Sequence, residues 1–468
     1  MRNHHSMNDP QELAEAVLSA SAADGCVAIV EEHTETNLRW AGNSLTTNGQ
    51  MRTRSVTVIS TFDQAGGTSA GVVTRAVSTV EEIADLVRAS EDAGRTADPA
   101  DDASPLVEPY PNDDDWAADP AGTSVEVFAE FAPALGDAFR AWRGADRALF
   151  GFAEHQLSST FLATSTGLRR RHDQPDGRLE LNGKSADLAR SAWAGVHSRD
   201  FVDVDVAAVA EGLAERLAWA GKRIDLPAGR YETLLPPGAV ADLMIYTYWT
   251  GGARDAEEGR SVFSAADGAT RIGEALSPHA LTLRSDPGEP GLQCAPFEIV
   301  TQSMGGLLSV FDNGAPATPA RWIDEGRLAD LIRTRAWARR TDAAPRPYVD
   351  NLVLEGPGGG PSLEAMIADT ERGLLVTCLW YIREVDPQNL LLTGLTRDGV
   401  YLIEDGQVQG AVNNFRFNES PVDLLGRVSQ VGRSEPTLPR EWNDYFRRTA
   451  MPALRIPDFN MSTVSQAS

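Results

Sequence analysis

The chain has 468 residues, with 42 Lys plus Arg against 67 Asp plus Glu, seven His and three Cys. Its length predicts two or three domains, and 42% apolar residues are enough to fill cores without disulfides or a structural metal. A formal charge of −25 argues against a nucleic-acid groove or an anionic membrane surface, because the mean field repels both partners.

From the N-terminus, the opening MRNHHSMNDP lacks the cationic and hydrophobic regions of a secretion signal. No window approaches the length of a membrane-spanning apolar run, so a soluble cytoplasmic protein is expected. Cys26, Cys294 and Cys378 are odd in number, far apart and outside CxxC spacing. They read as buried small hydrophobes in a reducing compartment. In a first segment, 1–90, Asp9 and Pro10 start a helix with Leu13, Val17 and Leu18 on one face. CVAIVEEH, RSVTVIS and AGVVTRAV are extended, and TVEEIADLVRAS opens with Thr79 and Glu82 in capping-box spacing. Residues 91–120 hold ten acidic residues, one Arg and five prolines, a composition that predicts a solvated linker or loop of net charge −9.

The next segment, 121–225, alternates again. A helix in FAEFAPALGDAFRAWRG precedes extended HQLSSTFLATSTGLRRR, and RRRHDQPDGRLELNGKS has the form of a hairpin turning at Asp176-Gly177. SAWAGVHSRDFVDVD is extended, and a helix follows with Val209, Leu213 and Leu217 buried. The triplet Arg169, Arg170, Arg171 suits either a carboxylate or phosphate ligand or an exposed hairpin rim. From 226 to 460 the chain is strand-rich. RYETLLPP leads into the apolar PGAVADLMIYTYW, and GGLLSVFD, NLVLEG, GLLVTCLWYIREV, NLLLTGLTRDGVYLIEDGQVQGAV and NNFRF are strand candidates turning at Asp398-Gly399 and Asp405-Gly406. Helices are expected in DEGRLADLIRTRAWARR and in SLEAMIADTERG, the latter capped by Ser362 and stopped by Gly373. The last ten residues should fray. The fold class is α+β: an N-terminal α/β part with antiparallel sheet and helices, then a strand-rich C-terminal domain.

Local catalytic motifs are absent. A helical zinc site needs two imidazoles about one turn apart, whereas His33, His155, His172, His197 and His279 are separated by at least 17 residues and His4 and His5 sit in the polar start. GPGGGPS at 356–362 precedes a helix, so its amides suit either an anion or a tight connection, but it lacks GK[ST]. GxSxG and the kinase motifs do not occur.

The chain also holds an ordered series: VFDNGAPATPARWIDEGRLADLI, PYVDNLVLEG, GGGPSLEAMIADTERGLLVTCLW, RDGVYLIEDGQVQGAV, NNFRFNESPVDLLGRVSQVG and MPALRIPDF, with NLRWAGNSLTTNGQMRTRSVTVIS near the N-terminus. That series resembles the TldD/PmbA family of peptidases, also called modulators of DNA gyrase, the N-terminal stretch matching the family's first strands more weakly. The resemblance spans about 20–90 and 150–460. The family resemblance implies a heterodimer in which a TldD-type subunit holds zinc through an HExxxH helix and a later cysteine. Placed without gaps, the two histidine positions fall at Ile245 and Thr250, with Tyr246 at the glutamate, and no cysteine follows Cys378. The sequence therefore looks like a TldE/PmbA-type subunit with no intrinsic cofactor. It implies zinc on an HExxxH-bearing TldD-like partner, an unfolded peptide as substrate, and a role in forming the enclosed peptide cavity. Tyr246, Tyr248 and Trp249 are candidates for the cavity wall or subunit interface, with ordinary core packing as the alternative. A structural or regulatory homologue without a peptidase role, and a hydrolase with its own nonmetal site, are the competing expectations.

Overall fold

The structure is a computed structural model and describes residues 8–111 and 114–465. His4, His5 and the last three residues lie outside the described residues. Long runs of alternating side chains joined mostly by short turns favour antiparallel hairpins in the first half. Strands β1 (Gly25–Trp40), β2 (Leu45–Gln64), β3 (Gly67–Arg75), β4 (Arg147–Thr164), β5 (Arg169–Ser185) and β6 (Ser191–Ser198) form one sheet in the order β3-β2-β1-β4-β5-β6. All its pairs are antiparallel. Alternation along β1 separates two faces. Cys26, Ala28 and Val30 lie under helices α1 (Pro10–Ala20) and α2 (Ile83–Thr96), and on the same face Leu38 and Trp40 lie under α3 (Phe131–Gly144) and α4 (Val206–Trp219). Val27 and Ile29 point the other way, into a cluster with Phe297, Val300, Val310 and Phe311 of the C-terminal half.

The second sheet has 14 strands. They are β7 (Arg223–Ile224), β8 (Gly229–Leu235), β9 (Thr282–Ser285), β10 (Ala320–Asp324), β11 (Arg327–Leu328), β12 (Leu352–Glu355), β13 (Arg372–Val376), β14 (Leu379–Asp386), β15 (Leu391–Thr396), β16 (Val400–Glu404), β17 (Gln407–Val412), β18 (Phe415–Glu419), β19 (Gln430–Thr437) and β20 (Thr449–Val464). Its main path runs β11-β10-β9-β12-β20-β8-β13-β16-β17-β7. A branch, β14-β15-β18, also ends on β20, as does β19. The helices here are α5 (Pro237–Trp249), α6 (Ala253–Glu257), α7 (Arg335–Arg340), α8 (Leu363–Ala368) and α9 (Pro421–Leu425). Helix α5 lies in the largest core, with Val240, Leu243, Met244 and Ile245 packed among residues that include Leu235, Leu354, Phe446 and Leu454.

The capping boxes at Asp9 and Thr79 form, although the second opens a 3-10 turn and α2 proper begins at Ile83. Other expectations are corrected. Asp176-Gly177 is no turn: β5 runs straight through it, pairing Asp176 with Gln156 and Gly177 with both His155 and Ser198. Glycine is needed there because a Cβ would meet the Phe201 ring at 2.7 Å and Ser198 O at 2.8 Å. Pro175 is tolerated because β6 does not extend past Gly177, so no outer neighbour calls for its missing N–H. The expected helix over 324–340 is instead a hairpin followed by the short α7. Glu325 (φ 48°) and Gly326 (φ 79°) make its two-residue turn between paired Asp324 and Arg327. Asp405-Gly406 does close a hairpin, but Asp398-Gly399 links β15 to β16, which pair with other strands. GGLLSVFD is a turn-rich loop ending in a 3-10 turn, held by Asn313, whose amide donates to Val300 O and Val310 O. Helix α8 keeps its Ser362 cap but ends at Ala368, and Gly373 belongs to β13. Of the last ten residues, 459–464 are not frayed but lie in β20, where Phe459 and Met461 are fully buried and paired.

The acidic segment is also more structured than its composition suggests. Its first six residues complete α2, where buried Glu91 accepts from Ala22 N–H at 2.6 Å and pairs with Arg95. The rest is a strap across the two halves. Tyr110 donates its hydroxyl to Gly314 O (2.8 Å), Arg335 and Arg339 donate to Pro105 O and Ala103 O (2.9 and 3.0 Å), and Asp114 pairs with Arg170.

Candidate functional site

Helix α5 begins where Pro236 and Pro237 supply a first turn that needs no N–H donors. Its residues are apolar nearly all round, as a helix enclosed by protein requires. Ile245 is fully buried in that core. Thr250, at the C-cap, turns its hydroxyl onto Tyr246 O at 2.9 Å. Tyr248 is buried: its hydroxyl donates to Val349 O (3.0 Å) and accepts from Val349 N–H (2.8 Å), while its ring stacks on Tyr348 with centroids 5.0 Å apart. Burial holds that phenol well above its ordinary range. Tyr246 and Trp249 keep partial exposure. Their rings lie 5.6 and 5.2 Å from Trp442, Trp249 donates to the Tyr348 hydroxyl (3.2 Å), and Tyr246 meets the backbone of Glu384 in β14.

On the same helix Asp242 is fully buried and accepts the N–H groups of Arg440 (3.2 Å) and Glu441 (2.9 Å), while its backbone carbonyl takes the Trp442 indole N–H. Burial pushes its carboxyl well up, against the pull of those donors. The helix thereby fixes the loop 438–444. Arg440 in that loop extends back to Glu180 of β5 at 3.2 Å, its guanidinium 4.8 Å from the Trp193 ring centroid and 4.3 Å from that of Trp380.

Residues 228–463 match a family model described as PmbA/TldA metallopeptidase C-terminal domain. The chain belongs to the TldD/PmbA family. Three solved structures share its fold over nearly the whole length. One is TldE from Thermococcus kodakarensis, with TM-score 0.77, 17% identity, and 96% of this chain and 99% of that chain covered. Another, described as a candidate modulator of a DNA gyrase from Thermotoga maritima, gives 0.74, 17%, 96% and 99%. A Bacteroides thetaiotaomicron protein with a similar description gives 0.74, 14%, 97% and 98%. At these identities the likeness is one of fold. No curated protein sequence matches the chain.

The position at which the family resemblance puts a zinc-binding helix is α5, and its residues do not fit the ion. Ile245 offers no donor atom, Thr250 has committed its hydroxyl, and Tyr246 points a phenol where a carboxylate would be needed. Cys378 is wholly buried, with its thiol pushed far above the ordinary range by desolvation. The histidines are dispersed and engaged by protein groups: His33 with Ser158, His155 with Thr123 and Arg199, His172 with Gln174, His197 with Asp176, and His279 with Val428. Among the described residues no three His, Cys, Asp or Glu side chains are grouped to hold a metal.

The arginine triplet binds carboxylates of this chain: Arg169 with Glu15, Arg170 with Asp114, Arg171 with Asp173. Arg170 is buried between Tyr110 and Phe297, so it is no exposed rim. A second charged group was not evident in the sequence because its members are scattered over 270 residues. Asp176 of β5 receives Arg448 Nη1 (3.0 Å) and lies 3.3 Å from His197 Nε2, while Arg448 Nη2 reaches Asp350 (3.1 Å). Arg448, then His197 and Arg447, hold the Asp176 carboxyl far below the ordinary range, overcoming a desolvation that acts the other way. This group joins the first sheet to the segment entering β20.

Proposed function

We propose that the chain is the noncatalytic subunit of a two-chain zinc metallopeptidase that degrades or processes unfolded peptides. In this reading an HExxxH-bearing TldD-like subunit carries the zinc and the hydrolytic chemistry, and this chain helps to enclose the peptide. The carrying observation is α5: it lies where the family resemblance puts the metal helix, and near the expected ligand and general-base positions it has Ile245, Thr250 and Tyr246. The TldE name of the Thermococcus neighbour supports the same subunit type. Tyr246 and Trp249, with Trp442, form a partly exposed aromatic wall, whereas Tyr248 supports it from inside the core. Three buried, unpaired thiols fit a reducing cytoplasm.

Purified chain should carry no stoichiometric zinc and cleave no unfolded peptide by itself. Mixed with the HExxxH-bearing homologue of the same genome, it should form a zinc-containing complex that does both. Zinc or proteolysis in the isolated chain overturns the assignment, and an inactive mixture without a complex favours a structural role.

A further inference from the structure

Between the start of β6, the end of α4, the turn entering β16 and the end of β17 lies a pocket of about 250 Å3 that the peptidase reading leaves unused. Its lining is basic in a strongly acidic chain: Arg190, Arg223 and Arg397 reach it, against the carboxylate of Asp398. That carboxylate is already engaged, since Ser191 donates its hydroxyl at 2.9 Å and Arg397 Nε lies at 3.4 Å. Arg223 is paired at the rim with Asp225 at 3.5 Å, while Tyr401 and Asn413 are donors with capacity to spare. Tyr401 lines the pocket at 1% exposure, and its hydroxyl has no hydrogen-bond partner among the described residues. Asn413 spends its Oδ1 on Leu226 N–H (2.7 Å), leaving its NH2 only a 3.5 Å contact. The Arg190 guanidinium donates to Leu217 O at 3.2 Å. Gly399, at φ 147°, lets the backbone pass close to the tyrosine: a Cβ there would meet Thr377 Oγ1 at 2.3 Å and the Tyr401 ring at 2.9 Å.

A buried hydroxyl without a partner carries its full desolvation cost. An anion with several acceptor oxygens relieves it and adds charge-assisted bonds to the guanidinium groups of the rim. We propose that this pocket binds the phosphate group of a small phosphomonoester. Donors arrive from the floor (Tyr401), the side (Asn413) and the rim (Arg190, Arg223, Arg397), which suits a tetrahedral oxyanion better than a planar carboxylate. The volume lies below the roughly 300–1,000 Å3 of sites for drug-sized molecules, which restricts the ester to a small one. The ligand would touch both halves, through Arg190 on one side and Arg397, Tyr401 and Asn413 on the other.

The test is calorimetric titration of the full chain, without any partner, using inorganic phosphate and methyl phosphate at constant ionic strength, with acetate as the carboxylate arm. Because no partner or peptidase assay enters, its outcome is independent of the proposed function. Both phosphates should bind saturably, and Arg397→Gln and Tyr401→Phe should each weaken them about tenfold. Arg397 is 47% exposed on its side chain and Tyr401→Phe keeps the ring, so both variants should retain the unliganded melting temperature. No saturable phosphate binding, acetate binding as tightly as phosphate, or an unchanged affinity in either variant overturns the proposal.

Discussion

Buried carboxylates give this protein a pH profile that single residues can be made to reveal. Glu298 and Asp312 are buried near each other, and desolvation, reinforced at Glu298 by the neighbouring Asp312 charge, raises both; Asp312 is pushed up to about 6. A carboxyl raised in the folded state favours folding fully below its unfolded value, near 4, and that contribution is lost as pH rises through the folded value. Asp176 is displaced in the opposite direction by Arg448, His197 and Arg447, so its contribution is present above about 4 and lost as pH falls below it. Stability measured by urea unfolding should therefore decline from about pH 4 through pH 6, and Asp312→Asn should flatten that limb. An unchanged slope in the variant would assign the decline elsewhere. Asp176→Asn should cost about 3–5 kcal/mol at neutral pH, because it leaves buried Arg448 with half its pairing.

Within single elements, packing decides which residues of α5 answer to the fold and which to a partner. Tyr248→Ala removes a ring enclosed by Tyr348, Trp322 and Phe446 and should destabilise by about 3–5 kcal/mol in urea titrations. The pair Tyr246→Ala and Trp249→Ala acts on half-exposed rings, so its cost in stability should be smaller than that of Tyr248→Ala. The same pair should weaken pull-down of the TldD-like subunit and lower peptidase activity; full retention of both would reduce these rings to core packing. Periodicity and caps made α1, α2 and α4 legible, because their information is local: Asp9 with Pro10, Thr79 with Glu82, and Leu213 with Leu217. Dipeptide turn rules failed where distant neighbours overruled them. Gly177 is required by Phe201, and Asp398-Gly399 turns between strands whose partners, β18 and β13, come from elsewhere in the chain. The α5 site was legible through the family resemblance, since no spacing of His or Cys points to it. Arg448, Asp176 and Asp350 could not be grouped, because only the meeting of the two sheets brings them together.

At the scale of the whole molecule, the two sheets share a seam that is both apolar and charged. Val27, Ile29, Ile59 and Leu162 from the first sheet bury Phe297, Val300 and Phe311 from the second half, and beside them Arg448 ties Asp176 to Asp350. The strap adds Tyr110 on Gly314 and Asp114 on Arg170. Hydrophobic area of this kind is what makes two units unfold together, since opening the seam exposes rings that neither half can cover by itself. Calorimetry of the intact chain should show one thermal transition, with calorimetric and van't Hoff enthalpies in agreement. Phe297→Ala with Phe311→Ala removes the two largest side chains at the seam, each worth about 3–5 kcal/mol, while leaving the helix-covered face of the first sheet and the α5 core intact. That double variant should separate the scan into two transitions, one for each sheet. A single transition merely shifted to lower temperature would instead show that the charged pairs and the strap suffice to keep the halves cooperative.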